Sequence, residues 1–350
     1  MMARKPRPGF TINGHTLAPG TRATIDLPVS ILPDHTPVTL SAHVVHGQRD
    51  GPVMFVSAAV HGDEVIGVEI VRRLLRTPNL DRLAGTLIAV PIVNTFGFLN
   101  HSRYLPDRRD LNRSFPGSAR GSLAARLAHM FLTEIVGRCD FGIDLHSAAI
   151  QRTNLPQIRI SPGDADLAAM ADAFGAPVIL TSKLRDGSLR MAARDCGVPV
   201  LLYEAGEGLR FDEMAARAGV YGILRVMRAK GMIAAKGIAR PKAAPVRCQS
   251  SSWLRAPAGG LLRAYRQAGD VVAPGEVLGV VADPFGEIEV EVVTDAGGII
   301  IGRTKLPIVN EGDALFHIAA IPDPAGAEQA FGVLAEQLEA ATLFDEDEII

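Results

Sequence analysis

Apolar runs that stop abruptly on polar residues recur along the first two thirds of the chain. VMFVSAAV ends at Val60 and meets His61, GTLIAVPIV ends at Val93, DFGIDL ends at Leu145 and VPVLLY ends at Tyr203. Helical patterns lie between them, at 65–75, 123–136 and 165–174. Continuous apolar runs fit strands buried on both faces. Their alternation with helices predicts an α/β fold with a largely parallel sheet covered by helices on both faces. Upstream, 22–29 and 38–45 read as strands with Pro and Gly between or near them. Sheets of this kind bind ligands outside the carboxyl ends of their strands. The polar residues just after the apolar runs are therefore the place to seek chemistry.

The pattern changes near Gly231, where AAKGIARPKAAPVR reads as a linker, and again after Ser252, where short strands alternate with Gly-containing turns. The expected division is a catalytic domain at 1–233, with N-terminal strands in 1–45, and a linker at 234–247. A small all-β domain at 248–323 follows, then a helix with an acidic tail at 324–350. In that last segment Phe331, Leu334 and Leu338 recur at three- and four-residue steps.

Composition narrows the function classes. The 350 residues carry 36 Lys and Arg against 38 Asp and Glu, a formal net charge of −2, with no basic block to suit nucleic acid. No apolar stretch reaches membrane-spanning length. The three cysteines, Cys139, Cys196 and Cys248, are odd in number and far apart, which argues against a disulfide framework. The basic start MMARKPRPGF is not followed by an apolar signal region. A cytoplasmic protein is the expectation.

His61 and Glu64 are three residues apart and would share one face of a helical turn. Asp144 and His146 alternate on one strand and so point the same way. Two histidines and one glutamate, with a fourth position open, are the ligand set of a catalytic zinc site rather than a closed structural one. Asp144 then either orients His146 from behind or serves as a loop cap or arginine partner. The segment NHSRYLPDRRDLNRSFPG is rich in arginine. An arginine fork can grip a carboxylate at two points, and a second arginine can face negative charge developing on a carbonyl. Arg113 with Asn112 would form such a clamp and Arg103 could face the carbonyl, although spacing alone does not choose among Arg103, Arg108, Arg109 and Arg113. Glu204, directly after the fourth apolar run, suits a general base, with Glu207 as its fallback. His101, His129, His317 and the four histidines before His61 lack such context and read as structural or solvated.

Taken in order, His61-x-x-Glu64, Arg103, Asp110-Leu111-Asn112-Arg113, Asp144-x-His146 and Glu204-x-Gly206 resemble the succinylglutamate desuccinylase/aspartoacylase family, a branch of the zinc carboxypeptidase superfamily, over roughly residues 51–232. The resemblance implies a mixed sheet between helices and one Zn2+ per chain held by His61, Glu64 and His146, with Glu204 as general base. It implies Arg103 on the scissile carbonyl and Asn112 with Arg113 on a substrate carboxylate. The part after Ser252 is similar to the β-sandwich appended to many members, itself akin to biotinyl and lipoyl domains. No lysine lies between Lys242 and Lys305, and the expected hairpin reads Asp283-Pro284-Phe285-Gly286. Capping the active-site mouth, or building a homo-oligomer interface, is thus expected in place of a swinging arm. Close relatives often carry Gly before the Asp of this Asp-Leu-Asn-Arg motif; this chain has Arg109, preceded by Arg108, so the extra charge either favours a more acidic substrate or is solvated.

The expected function is a zinc-dependent deacylase acting on an N-acyl amino acid or a related small, carboxylate-bearing amide. A metallocarboxypeptidase is the alternative. A non-catalytic binding protein on the same fold would predict a damaged ligand set, whereas all three ligands and the base are present.

Overall fold

The computed structural model describes residues 7–321, together with 332, 333 and 336. A hairpin of β1 (Phe10–Ile12) and β2 (His15–Leu17) precedes two long antiparallel strands, β3 (Thr21–Ile31) and β4 (Pro37–His46). Strands and helices then alternate: β5 (Arg49–Ala58), α1 (Ile66–Leu75), β6 (Ala84–Val90), α2 (Thr95–Leu99), α3 (Leu123–Met130), β7 (Phe141–Ala148). After β8 (Arg152–Ile160) come α4 (Ala165–Phe174), β9 (Val178–Thr181), α5 (Leu189–Asp195), β10 (Val200–Glu207) and α6 (Glu213–Ala229). The middle of the sheet is parallel in the order β6-β5-β7-β10, and antiparallel neighbours β4 and β8 flank it. The α/β alternation is the one that the apolar runs predict, and the antiparallel flanks give the mixed sheet between helices that the family resemblance implies.

Those runs are continuous because both faces are covered. On β5, Met54, Val56 and Ala58 enter a core shared with α1, α4 and α6, while Phe55 enters a second core shared with β3, β4, α3 and α5. Helix α1 turns Ile66, Ile70 and Leu74 inward at four-residue steps, and all three are buried. Asp164 and Asp212 cap α4 and α6 by accepting from the backbone N–H of Leu167 and Ala215. The pattern expected to be one helix over 123–136 begins as α3 but widens to a π turn over Phe131–Ile135. Phe131, Leu132 and Ile135 of this turn are buried in the core.

The C-terminal strands are β11 (Val246–Cys248), β12 (Ser251–Arg255), β13 (Gly260–Ala264), β14 (Val271–Val272), β15 (Val277–Ala282), β16 (Glu289–Val293), β17 (Gly298–Thr304), β18 (Ile308–Val309) and β19 (Ala314–Ala319). Four of them form a sheet in the order β16-β15-β13-β18. The others extend the main sheet: β17 pairs antiparallel with β8, β19 and β12 follow, and β11 lies parallel to β9. Residues 234–247 are largely irregular, although the last two begin β11. Leu155, Val178 and Leu180 share a small core with Ile299, Ile301 and Ala319, so apolar packing crosses from one part to the other. The amphipathic stripe of Phe331, Leu334 and Leu338 lies outside the described residues. No described helix is long and apolar enough to cross a membrane.

Gly142 on β7 faces the Phe55 ring, and a Cβ there would lie 2.0 Å from the ring edge. Phe55 cannot retreat, because it is fully buried and packed edge-on against Phe131. Gly142→Ala is therefore expected to cost about 1–3 kcal/mol by overpacking, measured as a lowered urea midpoint.

Candidate metal centre

The centre is assembled at the carboxyl ends of β5 and β7. After β5 the chain makes a tight turn in which the Glu64 N–H donates to the His61 carbonyl at 3.1 Å. Gly62 passes so close to α2 that a Cβ would lie 2.0 Å from the Gly97 carbonyl carbon and 2.1 Å from the Phe98 nitrogen. Glycine at this position lets the turn fold back and bring His61 beside Glu64.

His146 arrives from the neighbouring strand. Its Nδ1 lies 2.7 Å from Glu64 Oε2, and His61 Nδ1 lies 2.7 Å from Glu64 Oε1. One ligand atom from each of the three residues falls within 4.8 Å of the others, and all three side chains are buried. Each imidazole also meets a carboxylate through its outer nitrogen: His146 Nε2 lies 2.7 Å from Asp144 Oδ2, and His61 Nε2 lies 3.2 Å from Asp110 Oδ1. These carboxylates are themselves held. Ser57 Oγ donates to Asp144 at 2.7 Å, while the Asn112 N–H and Arg103 Nη2 donate to Asp110 at 2.8 and 3.0 Å. Burial pushes the Glu64 carboxyl up, but the two imidazoles outweigh it and hold the group well below the usual carboxylate range.

This donor set fits a zinc ion. A ring whose outer N–H donates to a carboxylate turns the lone pair of its other nitrogen inward, and two such rings with one carboxylate leave a fourth coordination position open. Among the described residues this is the one His/Cys/Asp/Glu group close enough to hold a metal.

The centre opens into a cleft of about 470 Å³ that brings together Arg103, Asn112, Arg113, Asp144 and Glu204 with the three candidate ligands. Glu204 sits opposite His146 in the parallel pairing of β10 and β7. Its Oε2 accepts from Asn154 Nδ2 at 2.7 Å, and Arg159 Nη1 lies 3.5 Å from Oε1. Asn112 Oδ1 accepts from the Leu189 N–H, which fixes its amide and leaves Nδ2 as the donor. Glu207 does not line the cleft; it accepts from the Gln151 N–H and from Lys305 and so ties β10 to the C-terminal part. Arg108 and Arg109 are exposed and also lie outside the cleft.

Sequence reasoning missed several residues. Asp110 lay within a noted motif, but nothing in its spacing revealed that it backs His61. Arg159, Arg190 and Ser182 line the cleft without belonging to any motif. His317, expected to be structural or solvated, lines the cleft with Trp253 and stacks on that ring at a centroid distance of 4.6 Å. The pairing of β12 with β19, which brings the two rings together, has no local signature.

Residues 50–230 match the succinylglutamate desuccinylase/aspartoacylase catalytic domain, just over half of the chain. The chain belongs to this family. It is 26% identical over 306 residues to N-alpha-acetyl-L-2,4-diaminobutyric acid deacetylase of Halomonas elongata, a match covering 79% of this chain and 84% of that protein. A succinylglutamate desuccinylase of Burkholderia cenocepacia is 30% identical over 181 residues, 46% of this chain and 50% of the other. Among solved structures, a succinylglutamate desuccinylase/aspartoacylase from Rhodobacter sphaeroides superposes with a TM-score of 0.77 at 25% identity, covering 86% of this chain and 96% of that one. The product-bound ectoine utilization protein EutE (DoeB) of Ruegeria pomeroyi shares the fold, with a TM-score of 0.79 at 23% identity over 90% of this chain and 98% of that one. The two curated relatives are deacylases by name.

Two outcomes are expected of this family member. Asp144→Asn should weaken zinc binding about 10- to 100-fold, read by competition with a chromogenic chelator. Gly62→Ala should lower both zinc stoichiometry and the thermal midpoint, because the clash falls on backbone atoms.

Proposed function

We propose that this chain is a zinc-dependent deacylase that cleaves the amide bond of an N-acyl amino acid or a related small amide bearing a carboxylate. The observation that carries the reading is the convergence of the carboxylate-backed His61, Glu64 and His146 with Glu204, Arg103, Asn112 and Arg113 around one cleft. His61, Glu64 and His146 would hold a divalent cation, which when bound would supply Lewis-acid chemistry at the scissile carbonyl. Glu204, oriented by Asn154, takes a proton from the attacking water and delivers it to the leaving amine. Arg103, held by Asp110, shares the negative charge that develops on the carbonyl oxygen. Asn112 and Arg113 grip the substrate carboxylate and set the scissile bond against these groups.

The cleft wall favours small amides over peptides, since Ser251, Trp253 and His317 of the C-terminal part line it along with the catalytic strands. The three cysteines are free, which suits a reducing compartment such as the cytoplasm.

Amine release from a panel of N-acetyl, N-succinyl and N-formyl amino acids tests the assignment. Glu204→Gln should lower kcat by about 10²–10⁴ while zinc stoichiometry stays at the wild-type level. Exhaustive chelation should abolish turnover, and zinc should restore it. Undiminished activity in Glu204→Gln would place the base elsewhere, and full activity in protein freed of metal would overturn the reading.

A further inference from the structure

A separate cavity of about 550 Å³ lies at the edge of the sheet where β10 begins. Strand β8 runs antiparallel to β10 and parallel to β9. Both therefore bring their carboxyl ends to this edge, away from the end of β10 that carries Glu204. Ser161 directly follows β8, Lys183 lies two residues past β9, and both line the cavity. The amino end of α4 opens onto it through Gly163 and Asp164. Arg190, on α5, is the one residue that lines both this cavity and the metal cleft.

Charge here is one-sided. Lys183, Arg190 and Arg194 line the cavity against the single carboxylate of Asp164. That carboxylate is already committed, since Oδ1 accepts from the Leu167 N–H at 3.0 Å and caps α4. Arg194 bonds its exposed neighbour Asp195, a contact that water screens. The Lys183 ammonium has no carboxylate partner among the described residues. Arg190 Nη1 is buried and has no hydrogen-bond partner. Burial first, and Arg159 next, push this guanidinium down to about 10, although Glu204 and Asp144 act the other way. It is cationic at neutral pH and incompletely compensated, and a buried charged donor left unpaired is costly. Much of the remaining wall is apolar, with Leu167, Met191, Val198 and Val200.

We propose that this cavity is a second, non-catalytic ligand site that takes a small carboxylate joined to an apolar body. The carboxylate meets Lys183, Arg190 and Arg194 near the positive end of α4, and the apolar body covers Leu167, Met191 and Val198. A bare oxyanion such as phosphate would satisfy the cations but leave the apolar wall wet, so the attached chain is part of the recognition. The site goes beyond the deacylase reading and does not depend on it.

Calorimetric titration of the full-length, zinc-loaded protein with hexanoate tests the proposal, with hexanamide and acetate as controls. Hexanoate is expected to bind about 10- to 100-fold tighter than either, because hexanamide lacks the charge and acetate lacks the chain. Lys183→Ala and Arg194→Ala are changes at exposed positions outside the metal cleft, and each should weaken hexanoate about 5- to 10-fold. Arg113→Ala, which alters the metal cleft alone, should leave hexanoate affinity unchanged. Binding that falls in Arg113→Ala and ignores Lys183 and Arg194 would put the carboxylate in the metal cleft and overturn the site. Hexanamide as tight as hexanoate would remove the role of the cations, and acetate as tight would remove that of the apolar wall; either result overturns the proposal. Hexanoate binding with this residue dependence stands even if no amide is hydrolysed, so failure of the site and failure of the deacylase reading are told apart.

Discussion

Both oxygens of Glu64 lie 2.7 Å from an imidazole nitrogen, and Oε2 also accepts from the Ser147 N–H at 3.1 Å. The carboxylate is only 2% exposed, and an unpaired charge buried to that depth costs several kcal/mol. Its neighbourhood must therefore be complete. His61 is placed by the turn at Gly62, His146 by the parallel pairing of β7 with β5, and each ring is steadied by Asp110 or Asp144. Asp144 is in turn held by Ser57, which sits opposite it in the β5–β7 pairing. The strand order thus sets the candidate metal centre, because the same ladder that builds the core also aligns imidazole and supporting carboxylate.

Strand β8 extends this frame. On one side it pairs with β10, which carries Glu204, and on the other with β17 of the C-terminal part. Asn154 of β8 donates to Glu204, while Lys305, just beyond β17, pairs with Glu207. Glu204 and the cleft wall are therefore fixed by one continuous sheet. Trp253 and His317 enter the cleft as parts of paired strands, not as a mobile lid, and Arg152 lies over the Trp253 ring at 5.3 Å.

A formal charge near zero for the whole chain conceals a strongly cationic cleft. Arginines that alternate with acids along the sequence are sorted by the fold: Arg108 and Arg109 go to the surface, while Arg159 and Arg190 go to the cleft. Field lines concentrate in a concave, partly desolvated site, so this local excess acts on a small anion far more strongly than the net charge suggests.

Much of the frame was legible in the sequence because it rests on short-range rules. Continuous apolar runs declare strands buried on both faces, the steps of Ile66, Ile70 and Leu74 declare an inward helix face, and His61-x-x-Glu64 and Asp144-x-His146 sit where such strands end. The resemblance carried by the ordered motifs added candidate roles for Arg103, Asn112, Arg113 and Glu204. What local pattern could not supply was which distant segments meet. Asp110 backs His61 across 49 residues, and His317 lines the same cleft as Glu204, far earlier in the chain. Such contacts depend on strand pairing between remote segments, which leaves no periodic trace in either partner. The sequence by itself determined the layered α/β core and the ligand types available to a metal. Only the tertiary structure decided which carboxylates support the imidazoles and which arginines face the cleft, because that choice depends on burial and register rather than on residue type.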